Sequence, residues 1–174
     1  MSVVSVPSAE IPDLSREHKT CLSWHPARAL LASLRAYERH CDSTNPVSWL
    51  LKKSAVLRHR FWSVITGADI PLGSKIAGGL LLPHANGIVI HPEAQIGPNC
   101  LIFQQVTIGT RGPGGAPQIG GHVDIGAGAK ILGPVTIGNH AVIGANAVVL
   151  VDVPDNCMAV GIPAVVKPRQ RQED

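Results

Sequence analysis

From residue 70 onward an aliphatic side chain returns every sixth position: Ile70, Ile76, Leu82, Ile88, then Ile96, Ile102, Ile108, then Ile119, Ile125, Ile131, Ile137, Ile143 and Val149. The phase slips twice, by two residues between 88 and 96 and by five between 108 and 119. The residue after the aliphatic is often glycine, as at Gly97, Gly109, Gly120, Gly126, Gly138 and Gly144. Four positions after it stands a small or medium residue, such as Ser74, Cys100, Val123, Ala129, Val135, Ala141 or Ala147. A six-residue beat of this kind predicts a parallel β-helix, in which each unit supplies one short strand and one turn and three units close a triangular coil. A sandwich of ordinary amphipathic strands would need alternation of period two, which is absent. The five-residue slip cannot be absorbed by a turn, so residues 109–118, GTRGPGGAPQ, are expected to leave the prism as an extruded loop.

Before Gly67 the pattern is helical. PARALLASLRAYERH sets Leu30, Leu31, Leu34 and Tyr37 on one face, with Pro26 at the first helical position. In NPVSWLLKKSAVLRHRFWSVITG, Asn45 is a candidate N-cap, Pro46 opens the first turn and Gly67 closes the C-terminus. Because stacked coils contact mainly their neighbours, their ends need covering. The expected organisation is a helical cap over 1–67, a β-helix over 68–158, and a tail over 159–174 that runs down the outside of the far end. The second helix carries Lys52, Lys53, Arg58 and Arg60 and no acid, which reads either as a solvated face or as contact with an anionic surface, membrane or substrate.

Composition sharpens this picture. Of the 174 residues 45% are hydrophobic but only 3% aromatic, and after Gly67 the sole aromatic is Phe103, as a narrow prism filled by slim aliphatics requires. The 18 glycines and 14 prolines are too regularly placed for low complexity. A formal charge of +3, without a basic stripe interleaved with aromatics, gives no indication of a nucleic-acid partner. Cys21, Cys41, Cys100 and Cys157 form no C-x-x-C pair and read as reduced thiols. The N-terminal MSVVSVPSAEIPD lacks the basic region of a secretory signal, and no apolar run approaches a membrane span, so a cytoplasmic protein is expected.

The stretches TGADIPLGSKIAGGLLLPHANGIVI, IFQQVTIG and IGAGAKILGPVTIGNHAVIGANAVVL resemble the serine acetyltransferases, over roughly residues 64–165. The resemblance implies a left-handed parallel β-helix assembled as a homotrimer, with acetyl-CoA in the groove between subunits and no metal. It implies that His84, in a His-Ala-x-Gly turn, is the general base and that Asp69, fifteen residues earlier, orients it. Small residues beside CoA map onto Ala127 and Ala145, with Gly109 in the same set; a lysine near the cofactor is replaced by Val142. Lys167 and Arg169 are candidates to meet the CoA phosphates instead. The chain departs from the family at the acceptor: the aspartate preceding the catalytic histidine is Pro83, and an Arg-His pair of the loop falls on Gly115 and Ala116. Arg111 is the candidate replacement ligand for an acceptor carboxylate. These departures keep a sugar hydroxyl open as the acceptor. The family's cysteine synthase partner is bound through a C-terminal isoleucine, whereas this chain ends Arg-Gln-Glu-Asp, so no such complex is expected.

Acyl transfer has two rivals on this fold. A three-histidine zinc enzyme on the same β-helix needs a close histidine pair, and His84 and His91 are seven apart. His122 and His140 differ by one 18-residue coil and should stack, but no third ligand accompanies them, so they read as surface or interface residues. A purely structural scaffold would need neither the Asp69–His84 spacing nor the extruded loop.

Overall fold

The computed structural model describes residues 7–20 and 23–169. Cys21, the first six residues and the last five fall outside that set, and with them the sequence features bearing on a leader and on a cysteine synthase partner.

Two helices open the chain, α1 (Pro26–His40) and α2 (Pro46–Thr66). The end signals act as the sequence indicates: the Asn45 side chain accepts from the Val47 N–H at 2.9 Å, and Gly67 terminates α2 at φ 64°. The rest is a three-walled prism. One wall holds β1 (Lys75–Ile76), β3 (Gln95–Ile96), β6 (Gln118–Ile119) and β9 (Thr136–Ile137). The second holds β4 (Leu101–Ile102), β7 (Asp124–Ile125), β10 (Val142–Ile143) and β12 (Cys157–Val160), all parallel, with β13 (Val165–Pro168) antiparallel at its edge. The third holds β2 (Val89–Ile90), β5 (Thr107–Gly109), β8 (Lys130–Leu132) and β11 (Val148–Val149). This is the wall order of a left-handed β-helix.

All thirteen aliphatic beat positions are buried, as are the small residues Ser74, Cys100, Val123, Ala129, Val135, Ala141 and Ala147 at the corners. Burial pushes the Cys100 thiol up to about 11, so it is a packing group and not a nucleophile. Registers set the coil lengths: Ile119 pairs with Ile137 and Ile125 with Ile143, eighteen apart, whereas Ile96 pairs with Ile119, twenty-three apart, because the loop 110–117 leaves the prism there.

The two-residue slip lies elsewhere than the bare periodicity suggests. Ile90, not Ile88, pairs with Ile108 on the third wall, so the long step runs from Leu82 to Ile90. The first coil is accordingly twenty residues, with Ile76 on Ile96 and Leu81 on Leu101. Ile88 is still fully buried, but as the corner residue. Two aliphatics two apart, both pointing inward, leave the phase ambiguous in the sequence alone. The extra residues therefore sit in the turn 83–87 that carries His84.

The caps differ in how well the sequence announces them. Leu30, Leu31 and Leu34 of α1 join the same core as Ile70 and Leu80, closing the first coil. Arg35 locks this contact: it pairs with Glu17 at 2.9 Å and Glu38 at 3.1 Å and donates to the Ile76 and Ala77 carbonyls, while Glu17 accepts from the Leu80 N–H. At the far end the tail does not run down the outside. β12 spans the expected boundary at 158, Ala159 is core, and β13 folds back as an antiparallel edge strand. An N-terminal strap also crosses one corner, held by buried Asn99, which accepts from the Asp13 N–H and donates to the Ser8 and Ile11 carbonyls.

Candidate active site

The corner between the second and third walls gathers three of the candidate residues, His84, Ala127 and Ala145, into one column. Its top is the expanded turn Pro83–Gly87; beneath it lie Gln104 and Gln105, then Ala127 and Gly128, then Ala145 and Asn146. Backbone bonds sew the rungs together: Gln105 N–H to Asn86 C=O at 2.8 Å, Gly128 N–H to Gln104 C=O at 2.9 Å, and Asn146 N–H to Ala127 C=O at 2.8 Å. Ala127 is half-buried and Ala145 exposed, as are Gln105 and Asn146, so the column has an accessible outer side of small and amide side chains.

His84 is exposed on this turn, at the rim of a cavity of about 530 Å³ between the turn and the helical cap. Pro83, Asn86, His25, Arg28 and Ile65 also line it. Asp69 is exposed on the third wall, one rung before Val89: its N–H donates to Ile88 C=O and its C=O accepts from the Ile90 N–H. The turn's downstream end is thus fastened to the strand segment that carries Asp69. Among the described residues no hydrogen bond joins the Asp69 carboxylate to His84.

His59 is a polar group the sequence did not single out. It lies on the inner face of α2, 6% exposed, with Nε2 2.8 Å from the Ile70 carbonyl oxygen and Nδ1 3.3 Å from Ser33 Oγ. Burial lowers its pKa, opposed by the bond to Ile70 and the charge of Asp69. Gln104 was also missed: its Oε1 is buried without a hydrogen-bond partner in the middle of the column. Nothing in the repeat separates Gln104 from its neighbour, so only packing could reveal it.

The remaining candidates lie at other corners. Gly109 ends β5, where its outward side faces Leu132, and Arg111 lines a second cavity with Leu132, Pro134 and Asp152. Neither is brought to His84 within one chain. Lys167 stands exposed on β13 opposite Met158, on the wall leading to the column. Arg169 is at the wrong edge of that wall: its guanidinium reaches the His140 carbonyl, a corner away from Ala127 and Ala145, because β13 runs antiparallel. His122 and His140 do stack, with Nδ1 atoms 2.9 Å apart and both residues at left-handed φ. They pair with each other, and among the described residues no group of three metal-ligating side chains occurs.

A prism of hexapeptide coils is the architecture of the hexapeptide-repeat transferases, and the model of that class, "Bacterial transferase hexapeptide (six repeats)", matches residues 116–150. The serine acetyltransferase of Mycobacterium tuberculosis is 42% identical over 125 residues, covering 68% of this chain and 55% of that protein. Two solved structures superpose on most of the chain: soybean serine acetyltransferase complexed with serine, with TM-score 0.71 and 36% identity over 84% of this chain and 59% of that one, and a serine acetyltransferase in complex with CoA, with TM-score 0.69 and 33% identity over 83% and 58%. The chain belongs to the serine acetyltransferase family. It spans little more than half the length of these relatives.

Proposed function

We propose that this protein transfers the acetyl group of acetyl-CoA to the hydroxyl of L-serine or a related small acceptor. The observation that carries the reading is the placement of His84 on the two extra residues of the first coil, at the head of the column that contains Ala127 and Ala145. An extended pantetheine arm laid along that column passes the Ala127 and Ala145 methyl groups, backbone, and the polar ends of Gln105 and Asn146, which suit its amides, and its thioester end arrives at the histidine. The imidazole takes the hydroxyl proton as the acceptor oxygen attacks the thioester carbonyl. Collapse of the tetrahedral adduct breaks the C–S bond, and the proton passes from the imidazolium to the departing CoA sulfur. Asp69, on the strand segment to which the turn is fastened, is the positioning group: with acceptor bound its carboxylate holds the imidazole tautomer and steadies its positive form. Lys167, beside the same wall, suits the phosphates of CoA better than Arg169 does.

The relatives in complex with CoA and with serine support both substrates. The assembly we propose is a homotrimer. The loop bearing Arg111 and the turn bearing His84 occupy different corners of one prism, so a loop can help bind an acceptor only at the site of a neighbouring subunit. A sugar hydroxyl is the second reading, favoured by Pro83, Gly115 and Ala116, which offer no charged partners for the ammonium and carboxylate of an amino acid. Release of CoA, followed with a thiol reagent across serine, homoserine, threonine, simple sugars and nucleotide sugars at equal concentration, separates the readings. Efficient turnover with serine alone supports the first reading and ends the second; turnover with a sugar and not with serine does the reverse.

A further inference from the structure

Helix α2 packs one side against the fold and, among the described residues, leaves an apolar side without a partner. Ala55, His59 and Thr66 are buried against the rest of the fold. On the opposite side Val47, Leu50, Ser54, Leu57, Phe61 and Val64 recur at alternating steps of three and four, which sets them in one stripe along the helix. Leu57 is 67% exposed, Phe61 54% and Val64 82%. A run of large apolar groups this long is not an ordinary feature of a soluble surface and marks an interaction site. Cations border it on both sides: Lys53 and Arg60 on one flank and Arg58 on the other, with no carboxylate partner for any of them among the described residues. There is no acidic residue anywhere in the helix. Lys53 lies over the exposed Trp49 ring, 5.6 Å from its centroid.

The geometry points to an anionic phospholipid bilayer as the occupant of this stripe, with α2 lying in the plane of the lipid headgroups. Three properties favour lipid over protein. The surface is one side of a single helix about 31 Å long, and Val47, Leu50, Leu57, Phe61 and Val64 line neither of the two cavities described above. Its charge is of one sign on both flanks, which complements an anionic surface. A second copy is the poorest fit, because packing the stripe against itself sets Lys53, Arg58 and Arg60 beside their own kind, where a stable helix pair places opposite charges. Exposed Trp49, on the flank of the stripe beside Lys53, supplies an amphipathic ring of the type that sits at headgroup level. The helix lies on the membrane and does not cross it: among the described residues no helix is long and apolar enough to span one. The inference does not rest on the reading of His84, whose cavity meets α2 only at its C-terminal end, through Ile65 and Thr66, and includes none of the stripe residues.

Flotation of the full chain with vesicles tests it. The probes are phosphatidylcholine alone and phosphatidylcholine mixed with phosphatidylglycerol, each at low and high salt. The protein should float with the mixed vesicles at low salt, weakly at high salt, and not with phosphatidylcholine alone. Each cation near the surface contributes about fivefold to the partition coefficient, so Lys53→Gln, Arg58→Gln and Arg60→Gln together should lower it about a hundredfold. Leu57→Ser with Phe61→Ser should abolish binding while leaving the circular dichroism unchanged. Failure of the unaltered chain to float with mixed vesicles, or flotation that survives the triple change, overturns the proposal. So does a result in which the serine variant loses oligomer mass by light scattering but floats as before, which would assign the stripe to a second copy.

Discussion

Replacing Ile125 with alanine probes the aliphatic stack at its least adaptable point. Ile125 is fully buried, paired with Ile102 in the coil before and Ile143 in the coil after. Loss of three carbons removes about 2.4 kcal/mol of transfer free energy, at about 0.8 kcal/mol each. The void cannot close cheaply, because the walls around it are pinned by the bonds Phe103 N–H to Ile125 C=O and Gly126 N–H to Ile143 C=O, at 3.0 and 2.8 Å. A cavity contribution on that account brings the cost to about 4 kcal/mol, near the upper end for such substitutions, whereas Ile125→Val should cost about 1 kcal/mol. Urea titrations followed by circular dichroism, at one fixed protein concentration because assembly affects apparent stability, give both values. A cost below about 2 kcal/mol for the alanine variant, or equality with the valine variant, would show that the prism collapses around the gap and refute the reasoning.

Two further outcomes follow from the structure. His59 has its pKa lowered by burial, so the unfolded chain takes up a proton at a higher pH than the folded one. Its contribution to stability is therefore complete above about pH 6.5, the ordinary histidine value, and declines as pH falls through it; the urea midpoint should drop between pH 8 and 5.5, less steeply in His59→Gln, and an unchanged slope in that variant would exclude His59 as the source. Light scattering should give the mass of a trimer at micromolar concentration, and a monomer would remove the shared-site account of the loop.

The fold was legible because the prism imposes a strict rule: only slim aliphatics fit inside, every sixth residue. The helix ends were legible for an equally local reason, since Asn45, Pro46 and Gly67 each answer a backbone need. What escaped depended on contacts between distant segments. The phase at Ile88 and Ile90 is decided by pairing with Ile108, which the local pattern does not encode. The strap over Asn99, the Arg35–Glu17 lock and the edge strand Val165–Pro168 each join residues far apart or folded back, without periodicity. Of the candidate site, His84 and the two alanines converge on one column as their coil positions require. Arg169 does not, because an antiparallel turn of the tail reverses its direction along the wall.

The central claim is that His84 is the base for acetyl transfer, and steady-state CoA release by His84→Ala, with the acceptor that the unaltered protein uses best, tests it most directly. The account predicts a fall in kcat of about two to four orders of magnitude, with acetyl-CoA binding, measured by calorimetry, little changed. Turnover by His84→Ala equal to that of the unaltered protein would contradict it.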